Sequence, residues 1–354
     1  MRPMTRCLVG FVIALLTLGG PADAGATEVS GVIKVTGEYD SNPDRVVGGA
    51  ASPDGVTALF SSVDLRAAAG DGGLVSARGQ LGGRIHGQAT RRDELVAALD
   101  LRWRHYTRGA VFFGLGASAR DRVERTSTWD YTSLLARAEV GVDVGVMRIS
   151  AEPTASRFVY RPVPDLDRVS GAGRLRLDVF ASDAVVVSAF GGVERRRYAG
   201  ERCCDDDYGR LAIDTSRRVD RLSHGGASFA VSTPAVRLEL GSSVWRNASN
   251  ASSRGWTRVR GDAALTLAPV GDLVTRVGLV VQRTRFDGDV LIDEDLAIDD
   301  DNRNRLSITA DHPIGHPDWF VEASARHLIE DFGAGASFSR TIVALGVAWR
   351  PSTR

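Results

Sequence analysis

The chain has 354 residues, with 44 basic and 44 acidic side chains and 43% apolar residues. That balance gives no bulk electrostatic case for a nucleic-acid partner, and the length alone admits two ordinary domains. No linker, composition shift or low-complexity tract divides the chain.

Residues 1–26 read as a removable export signal. Arg2 and Arg6 form a basic start, and Cys7 to Gly19 is an apolar run too short to span a bilayer as a helix. Ala22-Asp23-Ala24 or Ala24-Gly25-Ala26 supplies small residues at the cleavage spacing, after Ala24 or Ala26. Residues 27–354 then form one domain, and none of its stretches reaches the ~20 apolar residues of a spanning helix.

From Val29 onward the polarity period is two. Val29, Gly31, Ile33, Val35, Gly37 and Tyr39 share one face, against Ser30, Val32, Lys34, Thr36 and Glu38 on the other. Then Asp40-Ser41-Asn42-Pro43 ends the strand, because Pro has no place inside a paired strand and Asp and Asn favour turns. The same alternation predicts strands at 29–39, 57–69, 74–86, 94–106, 110–121, 132–144, 147–157, 169–180, 185–198, 219–231, 235–246, 257–268, 273–286, 303–312, 319–328 and 338–350. That is about sixteen strands, within bounds of about 14 to 18, of roughly nine to eleven residues each.

Connections alternate along the chain. Gly70 to Gly73, Thr107 to Gly109, Ala181 to Ala184, Ser232 to Pro234 and Pro269 to Asp272 are short. Between them, Asp40 to Val56, Asp121 to Tyr131, Arg157 to Arg168, Ala199 to Arg218, Asn247 to Trp256 and Asp287 to Asn302 are long. A soluble sandwich has no reason to keep that order. The fold class expected is all-β: a transmembrane antiparallel β-barrel in the bacterial outer membrane, with short periplasmic turns and long extracellular loops.

Charge decides which face is inside. About sixteen strands leave a lumen too wide for side chains to fill, so water fills it and polar faces line it. The expected pore lining is Arg78, Arg102, Arg104, Arg137, Glu139, Asp143, Arg174, Arg176, Asp178, Arg237, Glu239, Arg258, Arg260 and Asp262. The apolar faces meet outer-membrane lipid. Few aromatics are expected inside: Phe112, Phe190 and Trp245. Trp103, Trp319 and Trp349 map to periplasmic strand ends and Tyr39 and Tyr131 to outer ends, where rings suit the interfaces.

The stretch Gly37-Glu38-Tyr39-Asp40-Ser41-Asn42-Pro43 resembles the first strand of bacterial outer-membrane β-barrel porins, some of them associated with exopolysaccharide export. The rest of the chain matches that family in pattern only. The resemblance implies a conduit that assists polysaccharide export, together with periplasmic export proteins. Its last strand departs from the usual aromatic ending, since Trp349 is followed by Arg350 to Arg354, which bears on recognition by the barrel-insertion machinery.

Other chemistry is sparse. Cys203 and Cys204 are adjacent, so a bond between them closes a strained ring, and they read as thiols on a loop. Asp287 to Asp301 is the densest acidic run, without the ligand order of a calcium loop, and reads as a solvated loop. The six histidines (His86, His105, His224, His312, His316 and His327) show no spacing of a metal site or a nucleophile–base pair. No catalytic residue, metal or cofactor is expected, and the chain reads as a passive conduit. A general diffusion porin is the first alternative. A structural or adhesive barrel and a barrel enzyme follow it.

Overall fold

A period of two holds the backbone extended, and sixteen extended segments cover the chain in the computed structural model. It describes residues 27–44, 51–107, 109–127, 129–201, 217–251, 254–268, 272–287, 303–331 and 337–351, and the expected signal segment lies outside that set. The strands are β1 (Glu28–Asp40), β2 (Asp54–Ala68), β3 (Gly73–His86), β4 (Glu94–Tyr106), β5 (Val111–Glu124), β6 (Tyr131–Val144), β7 (Met147–Tyr160) and β8 (Arg168–Ser182). They continue as β9 (Val185–Glu201), β10 (Arg217–Ser232), β11 (Val236–Ser249), β12 (Trp256–Leu267), β13 (Val274–Phe286), β14 (Arg303–Ile314), β15 (His316–Asp331) and β16 (Ser337–Trp349). Every strand pairs antiparallel with its sequence neighbours, and β16 returns to β1, which closes the barrel. The expected fold class is the one observed.

Strand length differs from the expectation. The strands run from 12 residues in β12 to 17 in β9, longer than a tilted crossing of hydrocarbon needs. The surplus lies mainly toward the long-loop end. There polar residues continue the hydrogen-bond ladder into water, as Arg122 and Glu124 do at the end of β5.

The cross-strand register carries one face continuously around the ring. Lys34 faces Phe60, Asp64 faces Arg78, Arg78 faces Asp100, and the parity holds through β16, where Ala348 faces Lys34 again. The other face is a belt of large apolar side chains. Ile85 is 66% exposed, and Leu175 and Val193 are each 64% exposed. A continuous exposed belt of this kind requires lipid around it. The molecule is a membrane-spanning barrel of the bacterial outer-membrane type, with its charged face turned to the lumen.

Closure depends on the β1–β16 seam, and Asp40-Ser41-Asn42 stitches its outer end. The Asp40 carboxylate accepts hydrogen bonds from Arg340 Nε at 2.9 and 3.0 Å, and Arg340 and Asp40 are both buried. It also accepts from the Asn42 backbone N–H at 3.1 Å, which turns the chain out of the strand. Ser41 N–H donates to the Thr341 carbonyl at 3.0 Å, and Thr341 N–H donates to Ser41 Oγ at 2.8 Å. Deeper in the lumen Lys34, the lone lysine of the chain, pairs with Glu322 on β15. It reaches over β16 because that strand presents Ala344, Gly346 and Ala348 inward. A Cβ on Gly346 would overlap Thr36, so the seam needs glycine there.

The aromatic ends divide. Trp319 and Trp349 face outward as a pair 6.5 Å apart, and Trp103 and Tyr39 are also outward and exposed. Tyr131 corrects the expectation. It lies at the outer end but on the lumen face, buried with Tyr160 and Leu166 and 5.3 Å from the Phe158 ring.

Two variants test this arrangement. Asp40→Ala leaves Arg340 buried beside an empty place, and losing one partner of a buried pair costs about 3–5 kcal/mol. The urea midpoint of the reconstituted barrel should fall accordingly, and an unchanged midpoint would remove the clasp from the account. Leu99→Arg puts a charge on the lipid face of β4, at a cost of about 2–4 kcal/mol near the midplane. Folded, heat-modifiable protein should drop in yield, whereas wild-type yield would reverse the assigned faces.

Candidate functional site

All fourteen expected lining residues share the register parity of Lys34 and therefore face the lumen. Period-two strands make this possible, because charges two residues apart stand above one another on the same wall. Most are held by opposite charges. Arg78 donates to Asp64 at 2.5 Å, Arg104 to Glu139 at 2.6 Å and Arg137 to Asp100 at 2.5 Å. Arg102 also bonds Asp100 at 2.8 Å, Asp143 takes both nitrogens of Arg148 at 2.7 and 2.8 Å, and Arg176 bonds Asp178 at 2.8 Å. Arg237 pairs with Glu239, Arg258 donates to Thr284 at 3.2 Å, and Arg260 lies 4.0 Å from Asp262.

A cavity of about 530 Å³ brings half of this set together. Arg102, Arg104, Arg137, Glu139, Arg174, Arg176 and Asp178 line it. Arg78 and Asp143 lie outside it, and Arg237, Glu239, Arg258, Arg260 and Asp262 occupy a different wall, on β11 and β12. The set is two patches of a lining, not one site.

A second cavity, of about 470 Å³, sits toward the long-loop end and was not expected. Its arginines are Arg84, Arg92, Arg120 and Arg122 from one side and Arg303, Arg305, Arg326 and Arg340 from the other, against only Glu38, Glu94 and Glu124. Strands β5 and β14 both reach it although they lie seven steps apart in the ring of sixteen, so long side chains from facing walls narrow the lumen there. The glutamates are already engaged. Glu38 accepts from Arg84 at 2.6 Å, and Glu94 and Glu124 lie 2.7 and 2.8 Å from Arg122. Arg305 and Arg326 make no hydrogen bond or ion pair with another described residue. The cavity thus holds more cationic donors than carboxylates, which is a lining that attracts anions.

Sequence reasoning missed this cavity for two reasons. Arg122 stands just past the expected strand 110–121, where a polar run resembles the start of a loop, and the strand in fact continues through Glu124. Arg303, Arg305, Arg326 and Arg340 meet the β3–β5 residues only through closure of the ring. Extending the period-two count through Glu124 would have placed Arg122 inside, whereas Arg92 lies on a 3-10 turn between β3 and β4 that no such count reaches.

The expectation of few lumen aromatics is also corrected. Besides Phe112, Phe190 and Trp245, the lumen face carries Phe60, Tyr106, Tyr131, Phe158, Tyr160, Tyr198, Trp256, Phe320 and Phe338. Arginines cover several of these rings. Arg104 and Arg148 each lie 5.1 Å from the Phe112 centroid, Arg174 4.4 Å from Phe190 and Arg258 4.9 Å from Trp256. His224 stacks on Trp245 at 4.4 Å, beside Phe190 at 6.0 Å. Facing glycines make the room: a Cβ on Gly226 would come 2.7 Å from Phe190.

Cys203, Cys204 and residues 288–301 of the acidic run lie outside the described residues. Asp287 is described, and its carboxylate takes two hydrogen bonds from Arg246, each 2.7 Å.

No family model matches the chain, and no curated protein matches it in sequence. Solved outer-membrane proteins are similar in fold. OmpT of Vibrio cholerae is 10% identical with a TM-score of 0.49, over 93% of this chain and 100% of that one. An anion-selective porin from Comamonas acidovorans is 10% identical with a TM-score of 0.48, over 93% and 100%. A structure described as a bacterial polysaccharide outer membrane secretin is 8% identical with a TM-score of 0.44, over 91% and 98%. Likeness at this level carries no argument about solute or partner, and the geometry above stands without it.

The outer cavity yields a direct test. Arg305→Glu combined with Arg326→Glu removes two cations and adds two anions where the lumen is narrow. In a bilayer under a potassium chloride gradient, the reversal potential should move toward cation preference. Arg237→Gln, on the other wall and near a short turn, should move it far less. Equal reversal potentials for the double variant and the unaltered protein would mean that the cavity does not set selectivity.

Proposed function

We propose that the chain is a passive outer-membrane channel for hydrophilic solutes, with a preference for anions set in the outer half of the lumen. One observation carries this reading. Eight arginines and three glutamates line the outer cavity; each glutamate is already paired and Arg340 and Arg92 lean on Asp40 and Asp44, yet cations still outnumber carboxylates there. A permeating anion meets attraction without a single deep trap, which is what conduction requires. The exposed pairs deeper in the lumen, such as Arg102 with Asp100 and Arg237 with Glu239, contribute only about 0–1 kcal/mol each and can yield as an ion passes, whereas the buried pairs around the outer cavity hold its wall in shape. No chemical step is assigned to these residues, and the reading is not that of an enzyme.

A second reading, export of a polysaccharide with periplasmic export proteins, is supported by the resemblance of residues 37–43. The seam accounts for Asp40, Ser41 and Asn42 of that stretch independently of any solute. A sliding polymer needs a lining with little to grip a sugar ring, and more rings face the lumen than the three expected from the sequence. Arginines over Phe112, Phe190 and Trp256 nevertheless reduce the ring area open to a sugar face. The barrel-insertion machinery is the partner either reading requires.

Two measurements separate the readings. Purified protein in planar bilayers should give stepwise conductance with a reversal potential on the anion side; a closed barrel would show none. Deletion in the native bacterium should slow uptake of a small anionic solute and leave surface polysaccharide intact. Loss of surface polysaccharide with normal uptake would replace the first reading with the second.

A further inference from the structure

The lumen does not hold all the arginines of the strands. Register parity turns Arg157 on β7, Arg195 and Arg197 on β9, Arg221 on β10, Arg246 on β11, and Arg283 and Arg285 on β13 to the outside of the barrel. All seven are exposed, and all lie in the strand halves nearest the long loops. The lipid belt begins directly beneath them. Val193, Val244 and Val281 are the next outward residues below Arg195, Arg246 and Arg283, and each is at least half exposed. Two residues of strand span roughly 7 Å, so these guanidinium groups stand at the upper edge of the hydrocarbon, at headgroup depth.

Their pairing sets them apart from the lumen arginines. Only Arg246 has a carboxylate, that of Asp287. Arg157, Arg195, Arg197, Arg221, Arg283 and Arg285 make no hydrogen bond or ion pair with another described residue. Arg195 and Arg221 are direct cross-strand partners on the same face, a placement of like charges that opposes pairing unless an anion lies between them. On the adjoining row Arg157 and Arg197 flank Val169 from either side. The remaining arc, β14 through β5, has no outward arginine at the corresponding level within its strands: it shows residues such as Leu306, Thr341, Tyr39, Ile85 and Leu95.

We propose that the outer rim of β7 to β13 is a binding surface for phosphate-bearing lipid headgroups of the outer leaflet. Arginine forks match phosphate oxygens in geometry as well as charge. Their depth places them beside headgroups, not beside dissolved ions. An acyl chain on the belt below and a phosphate on the rim above would engage one lipid at two points. The surface is separate from the lumen, so it stands whether or not the channel prefers anions.

The test uses the whole protein, purified in a neutral detergent. It is titrated with bis-phosphorylated lipid A, with the same glycolipid after phosphatase treatment, and with inorganic phosphate, and retained lipid is counted by native mass spectrometry. The unaltered protein should hold the phosphorylated glycolipid at least about tenfold more strongly than the dephosphorylated form. Arg195→Gln, Arg197→Gln and Arg221→Gln together should abolish that preference while heat-modifiable mobility, and hence the fold, is kept. Three results would overturn the proposal. The triple variant keeps the preference; inorganic phosphate displaces the glycolipid, which makes the site one for free phosphate; or binding arises only after residues 289–301 are removed, which makes the chain's own acidic run the occupant.

Discussion

Hydrocarbon offers no partner to a backbone N–H or C=O, so a sheet can cross it only if every edge is paired. That constraint reaches one place above all, the junction of β1 with β16. Every other strand meets a neighbour adjacent in sequence; this pair must be recruited across the whole chain. The polar interactions there follow from that need. Asp40 and Arg340 are buried together at the outer end, Ser41 and Thr341 exchange bonds beside them, and Lys34 spans β16 to Glu322. The small inward residues of β16 make the span possible, so composition, packing and closure are one requirement seen at three scales.

Closure also sorts charge. A chain that is neutral overall keeps its arginines on the walls and its densest acidic run outside the described strands. Inside the lumen most carboxylates are engaged in cross-strand and same-strand pairs, so the local balance is set largely by the arginines left over. Near the outer end that surplus gathers where facing walls converge. On the lipid side the surplus arginines stand over the apolar belt along one arc. Net charge alone conceals both patches.

Much of this was legible in the sequence. Sixteen strands, their alternating loops and the inward set from Arg78 to Asp262 follow from a period of two, a pattern no helix can imitate over ten residues. Strand ends were less legible. Arg122 and Tyr131 are polar or amphipathic residues beyond the hydrocarbon, where the lipid face no longer has to be apolar and alternation fades. The outer cavity could not be seen in any single segment, since β3–β5 and β14–β16 supply it together. The lumen rings were undercounted for a related reason. Phe158, Tyr198 and Phe320 look like lipid-facing residues until the arginines above them are known.

The seam has a temporal side as well. Asp40 and Arg340 are 300 positions apart, and bringing such distant segments together carries the loop-closure entropy of nearly the entire chain. Hairpins between sequence neighbours form with little such cost, so they precede the junction and it closes last. Until β16 is in place, the partly built sheet presents two open edges, each a template for a strand from another molecule. A chain interrupted anywhere before Ser337 would stay in that sticky state however well its earlier hairpins had formed.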